Sequence, residues 1–237
     1  MRSLTLLCLA AVLVVPALAD WDPGDGHKMH FPQLPDEQGW DVNATLPKVL
    51  ADDWMCSESG WVEDIHFWGS FQEDLWYPID FFYLSIHAND PGPPSKPVNP
   101  PLWERIFVPG EWTERLYGTG DQGWYDPNTG YWYRPDHFDF YQYNFVDIPE
   151  PFYQEEGEIY WLDVSAVILD PYHQWGWKTT RDHWMDDAVW GDVDTGPDWQ
   201  PLYDPETGET LDMAFVITPE PASICLLGLG LVLLRRR

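Results

Sequence analysis

Hydrophobic and polar positions alternate with a period of two along much of this chain. Between residues 61 and 71, Trp61, Ile65, Phe67 and Phe71 fall on one side, with Asp64 and His66 on the other. Successive side chains of extended backbone point to opposite faces, so this pattern predicts a half-buried strand. Residues 79–87 repeat it, with Phe82, Leu84 and Ile86 facing one way. Residues 90–101 hold six prolines and predict a loop, because proline lacks the N–H that a strand ladder needs. Strands are expected again at 103–108 and 111–117, joined by a turn at Pro109-Gly110, and at 137–146. Residues 158–168 place Tyr160, Leu162, Val164, Ala166 and Ile168 on one unbroken apolar face, the best candidate for the core's centre. Leu211, Met213, Phe215 and Ile217 close the series. No stretch between residues 20 and 218 sustains a 3.6-residue period. The fold class these elements predict is all-β: a jelly-roll-like sandwich of about eight to ten strands with both sheets antiparallel.

Two apolar runs stand outside this pattern, at the ends. At the N-terminus a positive start, Met1-Arg2, precedes an apolar run from Leu4 to Val15 and the small-x-small triplet Ala17-Leu18-Ala19. These three parts predict a signal peptide over 1–19, cleaved between Ala19 and Asp20. At the C-terminus Pro219-Glu220-Pro221 leads into a thirteen-residue apolar run, Ala222 to Leu234, that stops at Arg235, Arg236 and Arg237. As a helix that run spans roughly 20 Å, short of a bilayer's hydrocarbon core, with the arginines held on the cytoplasmic side. The tripeptide, anchor and basic stop over 219–237 resemble the PEP-CTERM sorting signal of bacterial exported proteins. That resemblance implies recognition by an exosortase and a surface or extracellular-matrix destination linked to extracellular polysaccharide. One domain, residues 20–218, remains between the two signals.

Charge narrows the partners of that domain. The whole chain carries a formal −28, and residues 20–218 alone hold 8 basic against 39 acidic residues, a formal −31. Such a surface repels phosphate, which argues against nucleic acid and disfavours acidic glycans. Acidic composition usually signals disorder, yet all 16 tryptophans lie in this domain and supply enough apolar area for a core. The excess carboxylates are then solvated or bound to divalent cations, with Ca²⁺ the expected ion. With Cys8 and Cys225 in the terminal segments, Cys56 stands alone, so no internal disulfide can form and a small buried hydrophobe is its expected role.

Candidate chemistry is sparse. Tyr125-Asp126-Pro127-Asn128-Thr129-Gly130 recurs as Tyr203-Asp204-Pro205-Glu206-Thr207-Gly208, which predicts two type I turns ending on a left-handed glycine; calcium loops are the minority reading. Residues 175–190 gather Trp175-Gly176-Trp177-Lys178, Arg181-Asp182-His183-Trp184 and Asp186-Asp187. Here Asp182, His183, Asp186 and Asp187 are a candidate polar site that would bind a cation or move a proton, against the alternative of a solvated loop packed by its tryptophans. Together with the strand at 61–69, the proline-rich loop, Gly123-Trp124-Tyr125-Asp126-Pro127 and Ala214-Phe215-Val216-Ile217-Thr218, this order resembles an uncharacterised domain of exported planctomycete-type proteins. Trp124, Tyr125, Trp132 and Tyr133 are candidates for a platform that stacks on sugar rings, with core packing the competing role. No zinc-spaced His/Cys set, phosphate loop, EF-hand or nucleophile elbow appears. The expected function is a non-catalytic surface or matrix protein that binds neutral carbohydrate; the alternative is a secreted glycoside hydrolase using two carboxylates.

Overall fold

The computed structural model describes residues 20–194, 196 and 198–218. The expected signal peptide and sorting segment, 1–19 and 219–237, lie outside the described residues. Among those described there is no α-helix, only one 3-10 turn at Gln72–Asp74, and the all-β expectation holds. In chain order the strands are β1 (Trp40–Asn43), β2 (Lys48–Met55), β3 (Gly60–Val62), β4 (Asp64–Phe71), β5 (Phe81–Asp90) and β6 (Lys96–Pro97). They continue with β7 (Trp103–Phe107), β8 (Thr113–Asp126), β9 (Tyr131–Phe145), β10 (Phe152–Gln154) and β11 (Ile159–Val167). The last are β12 (Trp175–Thr180), β13 (Val189–Asp192), β14 (Gln200–Pro201), β15 (Asp212–Met213) and β16 (Phe215–Thr218).

The expected sandwich of two open antiparallel sheets is corrected in two respects. One sheet runs β12-β1-β8-β9-β4, and β4 pairs again with β12, so these five strands close into a barrel-like ring. Within it β1 and β8 are parallel, with Asp41 beside Trp124. Periodicity reports faces and carries no information on strand direction, which is why neither feature was visible in the pattern. Gly69 permits the closure. A side chain there would collide with the Trp175 ring and the Gly176 carbonyl across the β4–β12 seam. Where β12 and β4 diverge, residues 212–218 wedge between them: Met213 pairs with Thr179 of β12, and Phe215 with Phe67 of β4.

The second sheet, β14-β13-β2-β11-β5 with β6 and β7 on the outer edge of β5, covers the ring's outer face. The apolar faces expected on β5 and β11 are its core side. Phe82 of β5 is the hub, its ring 5.1–5.5 Å from those of Phe67, Trp112, Tyr143, Phe145 and Trp175. The expected hairpin at Pro109-Gly110 does not form. β7 pairs with β5 and β8 with β9, so this turn crosses between layers. Cys56 is free and buried, as expected.

The ring's interior is polar at its centre, and each of its five strands contributes one side chain: Asp41 (β1), Ser70 (β4), Gln122 (β8), His137 (β9) and Lys178 (β12). Asp41 Oδ2 accepts from Lys178 Nζ at 2.9 Å and lies 2.9 Å from His137 Nε2. Ser70 Oγ also lies 2.9 Å from His137 Nε2, Asp136 Oδ2 is 2.9 Å from His137 Nδ1, and Lys178 donates to Gln122 Oε1. Burial would raise the Asp41 carboxyl, but Lys178 and His137 outweigh it and hold it below the usual range. Burial would lower His137, yet Asp41 and Asp136 reverse that and bring it up to about 8.

Two outcomes are expected. Phe82→Ala leaves five aromatic neighbours around a void and should cost about 3–5 kcal/mol, read from the urea midpoint. His137 binds its proton more tightly folded than unfolded, so its contribution is complete below pH 6.5 and lost as the pH rises through 8. That is worth about 2 kcal/mol, and the melting temperature should fall over this window less steeply in His137→Gln than in the wild type.

Candidate functional site

Ser70 and His137 of the ring interior and Asp136 beside them stand in hydrogen-bonding sequence, and these are the residue types of nucleophilic catalysis. Yet Ser70 and His137 are fully buried, and His137 is also engaged by Asp41. A sealed hydroxyl has no route to a substrate, so this constellation is structural.

A groove of about 660 Å³ runs past the N-terminal end of β1. Trp40, Asp36, Arg134, Arg181, Asp204 and His183 line it. Both copies of the repeated turn meet at Trp40: its ring is 6.4 Å from Tyr125 of the first, and its indole N–H donates to Asp204 Oδ2 of the second at 2.9 Å. Asp126 Oδ1 accepts from the Asn128 N–H, and Asp204 Oδ1 accepts from the Glu206 and Thr207 N–H groups. Gly130 and Gly208 take φ of 71° and 73°. These are backbone turns capped by aspartate, as the repeat predicted, with the aspartate oxygens turned inward onto the chain.

The four aromatic candidates separate. Trp124 is buried, with 0% exposure, and cannot present a face to a sugar, a correction to the expected platform. It sits opposite Tyr133 in the β8–β9 pair, but its own ring lies close to His137 in the barrel. Tyr125 is half-buried against Trp40. Trp132 and Tyr133 are exposed, at 42% and 55%, and Tyr131 joins them on the same hairpin. Trp132 packs edge-on to Trp40 at 6.0 Å, which sets it beside the groove, whereas Tyr131 and Tyr133, its neighbours in the strand, point to the opposite face.

The polar candidates also divide. His183 and Asp187 come together with Asp212 of β15, their nearest donor atoms all within 4.8 Å of one another. His183 Nδ1 is 3.2 Å from Asp212 Oδ1, and the Trp184 N–H donates to Asp212 Oδ2 at 2.9 Å. Asp182 is not part of the cluster; its backbone N–H donates to Thr180 Oγ1, and it borders a shallow depression with residues 34–38. Asp186 approaches Asp53 of β2, whose carboxyl is pushed up to about 9 by burial first and then by Asp186 and Asp212. Asp212 is raised to about 6, mainly by burial. Burial, Asp212 and Asp53 raise Asp52 well above its usual range, although it accepts from Gln33 Nε2 and the Met213 N–H. Asp52, Asp53 and Asp212 were missed. The available signal was two adjacent aspartates inside the otherwise apolar run Val49-Leu50-Ala51-Asp52-Asp53-Trp54. Near this cluster His30 stacks on Trp184 at 4.1 Å, and His27 Nδ1 lies 2.8 Å from the Met29 carbonyl.

No curated protein and no solved structure matches the chain. Residues 29–218 match a family model described as a domain of unknown function (DUF7901), and the chain belongs to that family.

Proposed function

We propose that this protein is exported and acts at the cell surface or in the extracellular matrix as a non-catalytic module that binds neutral carbohydrate. The observation that carries this reading is the exposed Trp132, packed on Trp40 beside a groove whose walls also carry Arg134 and Asp204, with Tyr131 and Tyr133 exposed on the other face of the same strand. Aromatic faces stack on the C–H faces of sugar rings, and fixed polar groups nearby orient the hydroxyls. The groove's two arginines are already engaged. Arg181 pairs with Asp36 at 2.8 Å, and Arg134 lies over the Trp40 ring at 5.0 Å. With that cationic charge committed and a formal −31 on the domain, neutral rather than acidic glycans are the matching ligands.

The route rests on the terminal patterns. Cleavage after Ala19 and exosortase processing near Pro219-Glu220-Pro221 would leave a chain from Asp20 to about Thr218, after transient anchoring in the inner membrane by 222–234. Intact mass of the protein recovered from its native host should match that chain. A surface species retaining Arg235, Arg236 and Arg237 would sink the route.

The binding reading is tested on a glycan array and by pull-down from host exopolysaccharide, followed by product analysis after long incubation. Retention on neutral glycans is expected, and Trp132→Ala with Tyr133→Ala should weaken it by about tenfold or more, since stacked aromatics supply much of such contacts. Both side chains are exposed, so the substitutions leave the core intact. Absence of retention on every glycan would overturn the reading, and released oligosaccharide would move the protein to the glycoside hydrolases.

A further inference from the structure

We propose that His183, Asp187 and Asp212 form a binding site for a divalent transition-metal ion of the zinc or manganese type, with Asp53 as the buried carboxylate behind it. The three donors come from two segments, the β12–β13 loop and β15, and their ligand atoms converge within 4.8 Å. The His183 Nδ1 to Asp212 Oδ1 separation of 3.2 Å already matches the edge of about 3.3 Å that two donors subtend at a tetrahedral ion with bonds of about 2.0 Å. Asp212 is held in place from outside the cluster. Its second oxygen accepts the Trp184 N–H, which fixes both the carboxylate and the loop that carries His183 and Asp187.

Asp53 is the independent observation. It is 1% exposed, and neither of its carboxylate oxygens has a hydrogen-bond partner. A buried carboxyl left without a donor is costly, and the charges that bear on this one are those of Asp186, Asp212 and Asp187. Asp52, Asp53, Asp186, Asp187 and Asp212 therefore form a concentration of acid, and among the described residues no lysine or arginine makes an ion pair with any of them. Arg181, the nearest base in sequence, is turned to Asp36. A dication would supply the missing positive charge. The imidazole nitrogen in the donor set selects against calcium, which takes oxygen ligands, and in favour of an ion that accepts nitrogen and carboxylate together. His183 also lines the groove, so an ion held here would border it. The site stands independently of the carbohydrate reading.

The experiment is titration calorimetry of chelator-stripped full-length protein with zinc chloride and manganese chloride, with calcium chloride as the comparison. One equivalent of zinc or manganese should bind more tightly than calcium and raise the melting temperature. His183→Gln and Asp187→Asn should each weaken that binding about tenfold or more. Both side chains reach the surface, so the metal-free variants should keep the wild-type far-UV spectrum and a cooperative melt, separating loss of a ligand from loss of the fold. The proposal is overturned by the absence of saturable one-equivalent binding. It is equally overturned by affinities that both substitutions leave unchanged, or by calcium binding tighter than either ion.

Discussion

The ring of five strands closes on buried opposite charges, and the Asp41 carboxylate is the group that joins them. Its Oδ2 takes the Lys178 ammonium from β12 and meets the His137 imidazole from β9, while its own strand runs parallel to β8. A buried lysine without a counter-charge would lose its proton or disrupt the core, and a buried aspartate alone would do the same in reverse. Each group is tolerable because the other is present. The geometry also fixes register, because Asp41 pairs directly opposite Lys178 and Gln122 opposite His137. A one-residue slip in either pair would move a charge to the apolar outer face.

Outside that polar centre the packing is aromatic. Phe82 and its five ring neighbours join the second sheet to the ring, and the tryptophans that made a core credible in so acidic a chain are spent largely there and in the barrel. The acids follow a different rule. Most are exposed or half-exposed, but Asp52, Asp53 and Asp212 are drawn inside at the end of the ring where β15 passes β2. Buried like charges are expensive wherever they occur, so their concentration at one end marks that end as distinct from the rest of the surface.

Faces were legible in the sequence and pairings were not. The alternations in β4, β5 and β11 identified the residues that meet between the layers, because one face of each strand is uniformly apolar. β4 is nonetheless buried on both faces: His66, Trp68 and Ser70 turn into the barrel, where polar groups are as enclosed as the apolar ones opposite. β2 went unrecognised because its two aspartates interrupt an apolar run. The long β8–β9 ribbon was read as fragments, since register shifts between Leu116 and Trp124 break the alternation. Of the polar candidates, His183 and Asp187 do converge, but their partner Asp212 lies 25 residues beyond Asp187 in the chain. Only the folding of β15 against β12 brings it there.

The wedge formed by residues 212–218 has a consequence for the order in which the domain is made. Phe215, Val216 and Ile217 are fully buried, and their backbone groups complete the exposed half of β4 and receive the N–H groups of Lys28 and Gln33 from the opposite end of the chain. A nascent chain that has emerged only as far as β14 therefore holds β4 with an open edge along Asp64, Ile65, His66 and Phe67, and the N–H groups of Lys28 and Gln33 without their acceptors. Unpaired edges of this kind recruit other strands. The edge of β4 is covered only when the last strand arrives, so completion of the barrel waits on a segment of seven residues.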